Sequence, residues 1–136
     1  MNMRKWLCLA WVSIALLIVA CIPSTVATIQ VGTGHGLAEM DVINALLEKS
    51  GFTRIWFSGS TGERVARIER DGKVISAFAT EAPRGLGAGV IWEKNTGTLK
   101  VEFSEYDTHF SERGNSVLQA LLSDLQVLYG EKVTLV

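Results

Sequence analysis

His35 and His109 are the side chains in this sequence best suited to acid–base or metal chemistry, and each stands just before a helical pattern. An imidazole titrates near neutral pH and ligates divalent metals. Glu105 and Asp107 lie close to His109, so a weak acid–base or metal site would form if both helices started at the same end of the fold. The spacing does not demand such a site. There is no His-x-x-x-His pair, no Cys ligand lies nearby, and polar residues at helix starts are common for structural reasons alone. The segment Gly32-Thr-Gly-His-Gly36 follows a potential strand and opens a helix, as phosphate-cradling loops do. Its spacing fits neither the dinucleotide fingerprint nor the P-loop, which leaves a flexible hinge as the expectation.

Other polar clusters read as structure. Ser58, Ser60 and Thr61 surround a Gly-rich turn without a Gly-x-Ser-x-Gly nucleophile elbow. Arg64, Arg67 and Arg70 recur every third residue, so on a strand they do not share one face. Gly85, Gly87 and Gly89 suggest a mobile loop with Arg84 at its tip. Trp56 and Phe57 are adjacent and should point to opposite sides of a strand, one into the core and the other onto an open sheet face. Trp56, Phe57 and Arg84 are therefore the candidate partner-binding residues.

The elements that would position these groups follow from periodicity. Residues 37–50 form a helix with Leu37, Met40, Ile43, Leu46 and Leu47 at helical spacing, and Gly51 caps it. Residues 52–58, 65–70, 73–80, 90–94 and 99–106 read as strands, with Asp71-Gly72 a strong hairpin signal. Around Asn95-Thr96-Gly97, turn chemistry favours Lys94 opposite Thr98. Burial favours Lys94 opposite Leu99, which sets Trp92 against Val101 on the core face, and that register is preferred. Val117, Leu118, Leu121, Leu122, Leu125 and Leu128 mark a second helix ended by Gly130, with residues 132–136 as a closing strand. Strands between two amphipathic helices predict an α+β two-layer sandwich: a mainly antiparallel sheet of about five strands with both helices on one face.

The first residues carry the most specific signal. Arg4 and Lys5 precede an apolar stretch of 15 residues, 6–20, that ends in Ile18-Val19-Ala20-Cys21. This tetrapeptide resembles the lipobox of bacterial lipoproteins. The resemblance covers residues 1–21 and implies cleavage between Ala20 and Cys21, with acyl chains (palmitate among them) on Cys21. Each buried methylene is worth about 0.8 kcal/mol, so two or more chains anchor stably where one does not. With Ile22 rather than an acidic residue after the Cys, the resemblance implies the outer membrane, facing the periplasm; the inner membrane is the alternative. An ordinary secretory signal and an uncleaved span over residues 6–22 are the competing readings, the latter being short for a bilayer and stopped by Pro23.

On that reading the chain divides into a signal peptide (1–20), a lipidated tether that can include a first strand (21–31) and one periplasmic domain (32–136). Removing Arg4 and Lys5 leaves 11 basic against 14 acidic side chains, a formal charge of −3. That balance gives no electrostatic case for nucleic acid. Cys8 leaves with the signal and Cys21 takes lipid, so no thiol remains for a disulfide or metal site. The expected function is a non-enzymatic cell-envelope lipoprotein that binds or stabilises an envelope partner, without a cofactor. The alternatives are a metal-dependent or acid–base enzyme using His35 and His109, and a module binding lipid, glycan or peptidoglycan fragments.

Overall fold

The structure, a computed structural model, describes residues 24–81 and 85–136. The lipobox with Ala20 and Cys21, and Arg84 in the loop after Thr80, lie outside the described residues. Strand β1 (Thr25–Gly32) is rich in β-branched residues and alternates strictly: Ala27, Ile29 and Val31 are buried while their neighbours are not. The first strand allowed for within residues 21–31 is thus present. Helix α1 (Leu37–Lys49) follows, with the Gly36 amide donating to the Glu39 carboxylate at 3.1 Å. It ends where Gly51 takes a φ of 97° and Phe52 N–H donates to Leu47 C=O at 3.0 Å.

Residues 52–58 do not form one strand. Thr53–Ile55 (β2) pairs with Lys73–Ala79 (β6), whereas Phe57–Ser58 (β3) pairs with Arg64–Val65 (β4) in a separate small hairpin. The chain then returns as Ile68–Arg70 (β5) to the same edge of β6. The cause is length. Strand β6 offers one edge of seven residues, and β2 and β5 occupy it end to end. The residues between must leave the sheet, which is why neither Trp56 nor Phe57 enters the core, contrary to expectation. Asp71 and Gly72 close the β5–β6 hairpin with φ of 52° and 74°, as the Asp-Gly signal predicts.

Strands β6, β7 (Leu86–Glu93), β8 (Thr98–Glu105) and β1 form the antiparallel centre. The glycines expected in a mobile loop are a correction: Gly87 and Gly89 belong to β7, alternating with buried Leu86, Ala88 and Val90. The β7–β8 register is a second correction. Trp92 lies opposite Leu99 and Val90 opposite Val101, two residues from the preferred pairing. A four-residue turn, 94–97, gives Gly97 the left-handed position, with a φ of 68°. The anticipated register would have forced Thr98, a β-branched residue, into that conformation. A shift of two keeps side chains on the same face, so Trp92 still packs against the core and Lys100 lies opposite Ile91.

Helix α2 (Glu112–Tyr129) is capped by Ser111, whose Oγ accepts from the Gly114 amide at 3.0 Å. Leu118, Leu121 and Leu125 are buried, but Leu128 is exposed, so the apolar stripe is narrower than the sequence suggests. A 3-10 turn (Gly130–Lys132) leads to β9 (Thr134–Leu135), which pairs antiparallel with β1 at Ile29 and Gln30. The result is an α+β fold with a mostly antiparallel seven-stranded sheet. Met40, Ile43 and Leu47 of α1 share one core with Leu118, Leu121 and Leu125 of α2 and the inward strand residues. Both helices therefore cover one sheet face, and among the described residues the other carries no helix.

Candidate functional site

The two histidines do not meet. His35 lies beside Gly97 at the start of β8, its amide donating to Gly97 C=O at 2.9 Å. His109 follows the end of β8, so the length of that strand, roughly 25 Å, separates them. The helices start at opposite ends: Tyr129, last in α2, reaches the Glu39 carbonyl in the first turn of α1 at 3.5 Å. Among the described residues no group of three His, Cys, Asp or Glu is placed to hold a metal ion. His35 instead donates from Nε2 to Val31 C=O at 3.2 Å and meets the Tyr129 ring edge-on at 5.4 Å. Burial and the nearby Glu39 carboxylate raise the Tyr129 phenol above its ordinary value. The His109 Nδ1 lies 3.2 Å from the Thr108 hydroxyl on the surface.

The Gly-rich loop is a clasp rather than a hinge or an anion cradle. Gly34 N–H donates to Thr96 C=O at 3.1 Å and His35 C=O accepts from Trp92 Nε1 at 2.7 Å. With the Gly36 amide on Glu39, the three donors that an anion would need are engaged within the protein. Glu105, expected near a reactive site, is buried and structural. Its Oε1 accepts from the Ser111 amide at 2.9 Å and its Oε2 from the Ser111 hydroxyl at 2.8 Å. The Ser58–Thr61 turn is likewise internally bonded: Thr61 donates from its amide and hydroxyl to Glu63, which holds that carboxyl below its ordinary value. Arg64 stacks 4.7 Å above Trp56 and Arg67 pairs with Asp41 of α1, so the arginines do not pool.

A further surface is the helix-free face of the sheet. Its rows can be read from the register. At one end Val26, Ser104, Gly87, Ala79 and Thr53 lie side by side, and none carries a charge. The next row is Thr28, Glu102, Gly89, Ala77 and Ile55, followed by Gln30, Lys100, Ile91, Ile75 and Ile68. The far end joins Thr98, Glu93, Lys73 and Arg70, three of them ionic. Polarity thus rises along the strands. At the uncharged end a cleft of ≈ 450 Å³ opens between Ile55, Ala79, Gly85, Gly87, Ser104 and Tyr106. Small residues make this concavity. A Cβ on Gly87 would stand 2.8 Å from Ser104 Oγ, and one on Gly85 2.9 Å from Thr80 C=O.

Large apolar side chains rim this region. Val26 is 56% exposed, Ile55 43%, Tyr106 65% and, beyond Ile55, Trp56 47%. Sequence reasoning left open which of Trp56 and Phe57 would be exposed; Trp56 is exposed and Phe57 is half-buried in the side hairpin. Val26, Ile55, Tyr106 and the cleft floor went unread. Alternation could have found Val26, which is out of phase with Ala27, Ile29 and Val31. Tyr106 is likewise out of phase with Phe103 and Glu105. No helix among the described residues is long and apolar enough to cross a membrane. Set against known proteins, the chain matches no family model, and no curated protein matches it either.

Proposed function

We propose that this chain is a cell-envelope lipoprotein whose α+β domain is a non-enzymatic binding module, held by lipid on Cys21 and engaging an envelope partner through the helix-free face of its sheet. The membrane in question is the outer membrane, with the domain in the periplasm. The observation that carries the binding reading is the uncovered face itself, with Val26, Ile55 and Tyr106 exposed at its uncharged end. Isolated exposed apolar residues are ordinary, but Ile55 and Tyr106 beside one cleft, with Val26 on the same face, mark a contact surface. The lipobox resemblance supports the address. The enzyme alternative draws no support from the geometry, since His35 and His109 stand at opposite ends of the sheet.

The test compares the wild-type chain with a Cys21→Ala variant by intact mass and by photo-crosslinking from Trp56, Thr28 and Val127 in cells. Wild-type mass should show loss of residues 1–20 and gain of acyl groups, both absent in the variant. Crosslinks to one defined component should arise from Trp56 and Thr28 and not from Val127 on the helix layer. Equal labelling from all three positions, or none from Trp56 and Thr28, refutes the binding reading.

A further inference from the structure

We infer that the uncharged end of the open sheet face, around Val26, Ile55 and Tyr106, docks on the lipid surface to which the chain is anchored. This rests on the lipoprotein reading above and names the partner of that same face. Three observations converge on a bilayer. The first is reach. Only three residues separate Cys21 from Thr25, so at ~3.5 Å per residue an acylated Cys21 holds the start of β1 within about 14 Å of the membrane. Thr25 is itself fixed to the loop that carries Tyr106, its hydroxyl donating to Asp107 C=O at 2.8 Å. The start of β1 and the Val26–Tyr106 side of the apolar rim therefore form one corner of the sheet, with Ile55 across it on β2.

The second observation is the polarity gradient. The row nearest the tether has no ionic side chain, the two middle rows have one each, Glu102 and Lys100, and the far row has Glu93, Lys73 and Arg70. A face that meets an aqueous protein partner along its length would have no reason to lose its charges only toward the anchor. A face tipped onto a bilayer would, because each ionic group carried into the interface is costly. The third is side-chain type. Val26 and Ile55 are aliphatic, and Tyr106 is an amphipathic aromatic of the kind enriched at membrane–water interfaces. The cleft beside Ile55 and Tyr106, with Gly87 and Ala79 in its floor, has no charged residue among the described residues of its lining and can admit a lipid methyl or acyl end.

The experiment uses the acylated full chain in vesicles of phosphatidylethanolamine and phosphatidylglycerol. Val26→Cys, Tyr106→Cys and Val127→Cys variants each carry a fluorophore, and all three positions are exposed, so the fold tolerates them. Lipid-borne nitroxides should quench the labels at 26 and 106 several-fold more than the label at 127, which sits on α2. Equal quenching at all three positions, or stronger quenching at 127, overturns the proposal. Protection of 26 and 106 from an aqueous quencher without quenching from the lipid side overturns it as well and assigns the patch to a second copy of the chain. The intact mass of each preparation separates the two failures. An unacylated Cys21 sinks the lipoprotein reading, whereas an acylated Cys21 with unquenched labels sinks only the docking.

Discussion

Gly114 occupies the first turn of α2 where that helix passes closest to a buried carboxylate. A Cβ there would stand 2.2 Å from Glu105 Oε1 and 3.3 Å from Ser111 Oγ, the two groups that cap the helix. Gly→Ala in a helix normally stabilises by about 1 kcal/mol. Here the sign should reverse, because the carboxylate must move and its bonds to Ser111 with it. Gly114→Ala should cost about 1–3 kcal/mol in urea unfolding, and a stabilised variant would show that Glu105 can relocate freely. Glu63 offers a second residue-scale test. Its carboxyl is lowered from 4.5, first by the Thr61 hydroxyl. The stability linked to it is present above the ordinary carboxylate value and lost as pH falls through the depressed one. The Glu63 carboxyl resonance should therefore titrate below 4.5 and move back up in Thr61→Val. An unchanged midpoint would remove Thr61 as the cause. The burial of Glu105 went unread beside His109, although its phase with Leu99, Val101 and Phe103 on β8 carries that signal. The separation of the histidines carries no such signal, because it depends on which end of the sheet each helix starts from.

Among the elements, the helix–sheet interface contains one polar contact that hydrophobic periodicity conceals. Asn44 of α1 and Ser76 of β6 are both buried, and the Ser76 hydroxyl donates to Asn44 Oδ1 at 2.8 Å. Asn44→Ala should destabilise by about 2–3 kcal/mol, since it leaves a cavity and an unpartnered hydroxyl. Removing both partners in Asn44→Leu/Ser76→Ala should cost less than the sum of the single changes, by about 1 kcal/mol or more. Strict additivity in thermal or urea unfolding would mean that the pair is not coupled. The same scale shows what periodicity can and cannot resolve. Both helices were legible because their stripes and glycine stops are local. The Asp71-Gly72 hairpin was legible because two residues specify it. The excursion between β2 and β5 was not, because it arises from two strands competing for one edge of β6, which no window of sequence contains. The β7–β8 register lies between these cases. Its face followed from burial, but its exact pairing required deciding which residue of the turn takes positive φ, and Gly97 takes it against the amide and carbonyl of His35.

For the whole molecule, the division of labour between anchor and domain makes a distinct prediction. Every described core residue lies between Ala27 and Val133, and β1 is tied on both sides, to β8 along its length and to β9 at Ile29 and Gln30. A core held in this way predicts that lipid on Cys21 fixes position without contributing to folding. A chain beginning at Ser24 should unfold cooperatively at nearly the temperature of the acylated protein in detergent. The difference should stay below about 4 °C, the displacement expected from a single kcal/mol in a domain of this size. It should also leave the membrane fraction in cells when exported by an ordinary signal. A large loss of thermal stability would mean that residues 21–23 or the lipid pack onto the domain, in which case the exposed rim of Val26, Ile55 and Tyr106 is their nearest seat. Retention in the membrane with unchanged stability would instead mean that this rim binds the bilayer strongly unaided. The fold sets the terms of that choice: its helices cover one sheet face and, among the described residues, leave the other open toward the anchored end.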